Sequence, residues 1–480
     1  MRKSVLLPLI LLLGLLLGGV GYGVMDAYNL VPGVLTLENR SVDLPEGVQL
    51  EVAETAVAAP KGIDKSAREV TSTQVQNLLA ELEKQAQSGA SSGGQNEQNI
   101  EQPPVNTGAR VGAVVIDTVS GKTVAQLNGE QAMTPASSSK VVAAATALHT
   151  LGPQYRFTTS AHLAGEKLYL RGNGDQLLSS GAGDSAAITG HAGLGDLAAE
   201  TANKLKQKKL TSVRLFLDET VFGEQAELPN WVEQANTQYE TKPVPLAIRN
   251  GLAHPELTYG YVEDPALAAA QEFAARLKEQ GIEVGEVARA ETPKGAAKVA
   301  QVKSATLHEV THDTLKESNN MLAEVLCRAS AVKAGTGANF PGEIKVAQKV
   351  LGEMKLEGAD FQNQDCSGLS TENKIKPELL ASLTQRAAHG GDQQLRPLVS
   401  SLPVGALDGT LHDRYLGKTA AGNVRAKTGS LQAARSLTGL VTTKSGRTLT
   451  FCVIVDSFKE GSGGIALTAI DNFVDGLAGL

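Results

Sequence analysis

The stretch TPASSSKVVAAATALHTLG, Thr134 to Gly152, runs three serines into a lysine and then into an Ala-rich apolar helix. A serine hydroxyl becomes a strong nucleophile when a base takes its proton, and an amine is a base only when neutral. On a helix, residues three apart share a face and residues two apart do not. Ser137 stands three before Lys140, while Ser138 and Ser139 point elsewhere. A helix start also offers free backbone N–H groups and a positive dipole end, which favour a developing oxyanion. Ser137 is therefore the candidate nucleophile. Lys140 is its candidate base, provided burial or a second cation pulls it well below its ordinary pKa of ~10.4. The spacing alone also describes an N-cap serine beside a solvated lysine. A second match, SAVK at Ser330 to Lys333, closes a helix rather than opening one and is set aside.

Two later clusters change the weight of the first. ESNNMLAE supplies Ser318, Asn319 and Asn320, and VRAKTGSL supplies Lys427, Thr428, Gly429 and Ser430 on an expected strand. A second hydroxyl and an amide, Ser318 and Asn320, can relay a proton and hold a substrate amide. A cation beside a hydroxyl, Lys427 and Thr428, can bind a carboxylate while the strand edge pairs with peptide. A looser match at Lys444 to Gly446 falls at a hairpin tip and reads as a turn. A rival motif is HEVTH, His308 to His312. On a helix those histidines share a face and could bind zinc, with Glu309 as base and Glu324 as the nearest further acid. SGKT at Ser120 to Thr123 is no phosphate loop, because Ile116 stands where the first glycine would have to be.

These residues need a scaffold, and the hydrophobic pattern outlines one. Val75, Leu78, Leu79 and Leu82 follow helix spacing within Gln74 to Gln87. Residues 88–107 are rich in Ser, Gly, Gln and Asn and read as a flexible loop. The run from Arg110 reads as strand, turn and strand. Its only comparable partners are the runs at about 425–455, with a hairpin at TTKSGRT. One antiparallel sheet built from both ends of the chain is the simplest solution. Residues 151–302, with short strands, loops and some helix, then form an inserted module. Helical patterns return over Leu307 to Ala334. A closing helix from about 464 to 480 puts Ile465, Ala469, Ile470, Phe473, Val474 and Leu477 on one face.

Ser-x-x-Lys, Ser-x-Asn and Lys-Thr-Gly in that order form the signature of β-lactamases and penicillin-binding proteins. With LGPQYRFTT, GNGDQLL, DCSGLSTENKIKP and LPVGALDGTL, the chain from Arg110 onward resembles the low-molecular-mass class C penicillin-binding proteins, serine D-alanyl-D-alanine carboxypeptidases with endopeptidase members. The resemblance implies an α+β fold: a penicillin-binding/β-lactamase-like catalytic domain, an antiparallel sheet flanked by helices, interrupted by an inserted β-rich module. It implies a substrate, peptidoglycan stem peptide ending in D-Ala-D-Ala, and acylation by β-lactam antibiotics. Catalytic roles fall to Ser137, Lys140, Ser318, Asn320 and Lys427, and substrate binding to Thr428, Gly429 and Ser430. The backbone N–H groups of Ser137 and Ser430 would form the oxyanion hole. No metal or cofactor is implied. Three positions depart from the family pattern: Asn319 where many relatives have Asp, Cys366 where serine is usual, and Gln176 where proline is usual. Alternatives are a zinc peptidase using His308 and His312, or an inactive wall-binding scaffold, although no motif is broken.

Composition bounds the partners. The 480 residues carry a net charge of −7 and 4% aromatics, so there is neither a basic field nor a set of stacking platforms for nucleic acid. At the N-terminus Arg2 and Lys3 precede the uncharged apolar run Val5 to Val24. Twenty residues at ~1.5 Å each span about 30 Å, the bilayer core. The run therefore reads as a single-pass anchor with the N-terminus cytoplasmic and the catalytic domain extracytoplasmic, in the cell membrane. A cleaved signal is the alternative, though no Ala-x-Ala site follows. The expected divisions are 1–24 cytoplasmic N-terminus and transmembrane anchor, 25–71 extracytoplasmic tether, 72–150 the N-terminal segment of the catalytic domain, 151–302 the insert, and 303–480 the C-terminal segment of the catalytic domain. Cys327, Cys366 and Cys452 are scattered, and an odd count reads as buried, inert thiols rather than a disulfide framework.

Overall fold

The computed structural model describes residues 63–88, 106–223, 227–254, 257 and 259–480. The apolar run 5–24, the tether up to residue 62 and most of the loop before residue 106 lie outside the described residues. Among the described residues no helix is long and apolar enough to cross a membrane.

Both ends of the chain build one five-stranded antiparallel sheet. Its order is Val424–Leu431, Ala434–Thr442, Thr448–Asp456, Arg110–Asp117, Thr123–Leu127. Arg110 pairs with Asp456 and Asp117 with Leu449, so the N-terminal strand lies along the full length of Thr448–Asp456. Side chains alternate between faces along a strand, and here both faces are covered. Val114, Ile116, Cys452 and Ile454 pack against helices Lys140–Leu151, Asn320–Ala334 and Pro377–His389. Val111, Ala113, Val115, Phe451, Val453 and Val455 pack under helices Ser72–Ser88 and Gly463–Ala478.

Residues 156–306 build a second, six-stranded sheet, mixed parallel and antiparallel, with helices packed on it. Strand Ala297–Thr306 pairs with Arg156–Ala164, followed by Lys167–Arg171 and Ser212–Asp218, and the last two run parallel. A parallel pair needs a crossover, and helix Leu194–Gln207 supplies it. A second helix, Pro265–Glu279, packs beside it over a shared apolar core. Helix Pro265–Glu279 buries Ala266, Ala269, Ala270 and Ala274 beside Phe273 and Leu277, whereas Leu194–Gln207 carries a leucine stripe, Leu194, Leu197 and Leu205.

The cysteine reading is also corrected. Cys327 and Cys366, both fully buried, form a disulfide; only Cys452 is free. The pairing was hidden because 39 residues separate the two in sequence, and the fold brings a helix and a loop together between them.

Candidate active site

Pro135 leads into one 3₁₀ turn, Ala136–Ser139, and the α-helix begins at Lys140 itself. Residues three apart eclipse one another in a 3₁₀ turn, so Ser137 and Lys140 align more closely than along an α-helix. Lys140 Nζ lies 2.9 Å from Ser137 Oγ. The neighbouring serines are buried and serve packing. Ser138 Oγ meets Ser436 Oγ at 2.8 Å, and Ser139 Oγ accepts from Asn363 Nδ2 at 2.9 Å. Ala136, before the candidate nucleophile, holds a left-handed φ of 47°, a strained conformation for a residue with a Cβ.

Lys140 Nζ has two further neighbours: Asn320 Oδ1 at 2.7 Å and the Ser367 carbonyl at 2.6 Å. A carbonyl only accepts. The Asn320 amide is oriented by its other end, since Nδ2 donates to the Tyr239 carbonyl at 2.8 Å. Oδ1 therefore faces the lysine. A neutral amine has two N–H groups and one lone pair. As an ammonium Lys140 donates to all three oxygens; once it loses a proton, Asn320 Oδ1 and Ser367 O take the two remaining hydrogens and the lone pair is left for the Ser137 hydroxyl.

Ser318 follows helix Leu307–Lys316 in a left-handed conformation, φ 57°, and its Oγ accepts from Lys427 Nζ at 2.8 Å. Asn319 caps the next helix, its side chain accepting from Leu322 N at 3.0 Å. Asp and Asn are equally good N-caps, which accounts for the departure at this position. On the strand Val424–Leu431, Thr428 Oγ1 lies 2.8 Å from Thr410 Oγ1. Gly429 lets that strand run against the Ser137 turn: a Cβ there would sit 2.1 Å from Ser436 Oγ and 2.8 Å from the Pro135 carbonyl. Ser137, Ser318, Asn320, Thr428 and Ser430 line one cleft of about 710 Å³.

The opposite wall belongs to the insert, where Gln234, Asn236, Gln238 and Tyr239 face the cleft. It is fastened to the catalytic domain by Trp231 Nε1, which donates to Asp365 Oδ2 at 2.8 Å, and by Asn230 Nδ2, which donates to Ser370 Oγ at 2.6 Å. Sequence reasoning missed Tyr239, Ser367, Thr410 and Asp365. Thr410, Asp365 and Ser367 lay inside segments already resembling the family. Tyr239 gave no signal, because it acts through its backbone carbonyl.

Both lysines are fully buried. Burial pulls Lys140 down to about 8, against the opposing pull of Glu240, Asp365 and Glu324. Lys427 is held well below the ordinary lysine range, first by burial and then by the Lys140 charge. No carboxylate offsets this at Lys427. Glu240, buried in the insert wall, is raised well above the ordinary carboxylate range by burial.

The rival zinc motif dissolves into local structure. Thr306 and Glu309 form a reciprocal capping box at the start of helix Leu307–Lys316. Glu324 is buried elsewhere and accepts the Cys366 and Ser367 N–H groups. Neither histidine belongs to a metal-sized cluster among the described residues.

The model of the D-Ala-D-Ala carboxypeptidase 3 (S13) family matches residues 95–261 and 258–477. The chain belongs to that family. Within it, the chain is a class C penicillin-binding protein of low molecular mass and a serine DD-peptidase. It is 31% identical over 351 residues to a carboxypeptidase of Mycobacterium tuberculosis, covering 71% of this chain and 75% of that one. Its fold is that of penicillin binding protein 4 from Haemophilus influenzae, with TM-score 0.66 at 20% identity over 85% of this chain and 99% of the other. A second structure of that protein, complexed with a β-lactam, gives TM-score 0.61 at 21% identity over 85% of this chain and 100% of the other.

Proposed function

We propose that this peptidase hydrolyses the terminal D-Ala-D-Ala bond of peptidoglycan stem peptides through an acyl-enzyme on Ser137. The observation that carries the reading is the position of Lys140 Nζ, 2.9 Å from Ser137 Oγ and held there by two fixed acceptors. Ser137 Oγ attacks the penultimate D-Ala carbonyl carbon while its proton passes to Lys140. The oxyanion is met by the N–H groups of Ser137 and Ser430. As the C–N bond breaks, the proton travels to the leaving D-Ala amine by way of Ser318, and Asn320 holds the peptide amide. Water then attacks the ester, its proton again going to Lys140, and Ser137 is released. The same ester formed with a β-lactam keeps its leaving group tethered.

Lys427, Thr428 and Gly429 receive the substrate's terminal carboxylate and backbone. The lysine pair shares one proton at neutral pH. In the empty cleft it rests on Lys140, which faces carboxyl groups, and not on Lys427, which faces none. A substrate carboxylate at Lys427 reverses that preference, because the new ion pair favours charge on Lys427 and like-charge repulsion then keeps Lys140 neutral. The substrate thus prepares its own base.

The apolar run 5–24 anchors the chain in the cell membrane, with the peptidase outside. The support is its length and the flanking Arg2 and Lys3. Fractionation of the native protein should find it with membranes, and N-terminal sequencing should begin within the first few residues. The activity itself is tested by fluorescent penicillin on wild type and Ser137→Ala. Labelling of the variant, or none of wild type, would refute the reading.

A further inference from the structure

The Cys327–Cys366 bridge takes no part in the chemistry above, yet it joins two pieces that do. Helix Asn320–Ala334 opens with Asn320, a Lys140 partner, and carries Glu324 and Cys327 three residues apart on one face. Both reach the same loop. Glu324 accepts the Ser367 N–H at 2.6 Å and the Cys366 N–H at 3.1 Å, and Cys327 is bonded to Cys366. From the other side, Asp365 Oδ1 accepts the Gly368 N–H at 2.8 Å. The loop so fixed makes two contacts with the reacting pair. The Ser367 carbonyl accepts from Lys140 Nζ at 2.6 Å. Gly368 lies on the peptide before Ser137, so closely that a Cβ would fall 1.9 Å from the Ala136 carbonyl.

Asp365 also accepts from Ser370 N, Asn373 Nδ2 and Trp231 Nε1, so the loop is held by buried hydrogen bonds as well as by the bridge. Burial, with Asp365, Glu343 and Glu240 nearby, pushes the Glu324 carboxyl well above the ordinary range. The adjoining strands, Phe361–Gln362 and Lys374–Ile375, have two residues each. A covalent tie does not depend on the protonation of the groups around it.

We propose that the Cys327–Cys366 disulfide is a positioning device for Lys140: it fixes the Ser367 carbonyl that aims the lysine lone pair at Ser137. The inference rests on the acyl-enzyme reading above. A chain without the bridge keeps its fold but lets the loop and water move at the lysine. Misplacement of that order lowers acylation by about 10- to 100-fold. Lys140 is faced by Glu240 from the insert, by Asp365 beside the loop, by Glu324 from the helix and by Lys427 from the sheet. Burial is the largest influence on it, so admitted water raises its affinity for a proton.

The test uses the full chain. Thiol counting after denaturation without reductant should find one free thiol per chain, Cys452; three would overturn the bridge. Second-order acylation by benzylpenicillin is then followed against pH for wild type, Cys327→Ser/Cys366→Ser and Cys327→Val/Cys366→Ala, per folded molecule by circular dichroism. The expected result is slower acylation in both double variants, with the alkaline limb moved to higher pH. A merely structural cross-link would lower the melting temperature and leave rate and profile alone, which overturns the inference. So does failure of both variants to fold. Wild type that takes no penicillin overturns the peptidase reading and this inference with it.

Discussion

In the proposed mechanism Lys140 must give up a proton to act as a base and Lys427 must carry one when the substrate carboxylate is bound, and both side chains are fully buried. Arginine separates them. Its pKa exceeds ~12, so it never gives up its proton in a protein. Lys140→Arg should abolish penicillin acylation. Lys427→Arg keeps the charge with imperfect reach and should slow acylation by roughly 10- to 1000-fold, about 1.4–4 kcal/mol of barrier. Equal rates would show that Lys140 is not the base. The shared proton gives a second prediction, with its sign set by the ligand. A penicillin with its carboxylate needs the pair singly protonated, so its second-order acylation should fall above about pH 8, where Lys140 loses that proton. A neutral penicillin ester cannot draw the proton to Lys427. It needs Lys140 already neutral, so its rate should rise through about pH 8. Curves of the same shape would rule out proton sharing. That Ser137 and Lys140 would meet was legible, because it is written in residue type and spacing. The carbonyls of Ser367 and Tyr239, which orient the lysine and its amide, were not, since every residue has a carbonyl.

In the proposed mechanism the strand Val424–Leu431 must lie close enough to the Ser137 turn for Ser430 N–H and Lys427 to meet the same substrate, and Gly429 permits that approach. A Cβ at Gly429 would meet both a hydroxyl and the Pro135 carbonyl well inside contact distance, and the latter is backbone. The strand must then retreat from the turn. Gly429→Ala should fold, because the sheet partner Ala434–Thr442 can move with the strand, but should lower penicillin acylation by about 100-fold. Stopped-flow acylation beside a thermal melt checks this; a normal rate would show that the oxyanion site does not depend on that approach. The same sheet shows what could be read from pattern. Continuous apolar runs at 111–116 and 451–455 can only be central strands buried on both faces, so the two ends of the chain had to meet. The insert was harder. Helix Pro265–Glu279 buries four alanines on its inner face, and the parallel pairing of Lys167–Arg171 with Ser212–Asp218 leaves no local mark.

The catalytic domain and the insert complete one cleft between them, through Trp231 on Asp365 and the Tyr239 carbonyl on Asn320. Such a cleft must hold ionisable groups away from water, which opposes stability. Lys140 illustrates the size of the effect. It falls from the ordinary 10.5 to about 8 on folding. At ~1.36 kcal/mol per unit, the folded state is disfavoured by about 3 kcal/mol at neutral pH. The sign follows from proton counting. Between about pH 8 and 10.5 the unfolded chain holds a proton on this lysine and the folded chain does not, so stability rises with pH across that window and is flat below it. The other lysines contribute to wild type and to Lys140→Gln alike; Lys427, held down partly by the Lys140 charge, is depressed less in the variant, which widens the difference in the same direction. Wild type should therefore gain about 2–3 kcal/mol relative to Lys140→Gln between pH 8 and 10, read from urea midpoints at unchanged slope. Parallel stability curves would mean that Lys140 keeps an ordinary affinity for its proton. It would then be an ammonium throughout the working range, and the base in this site would have to be sought elsewhere.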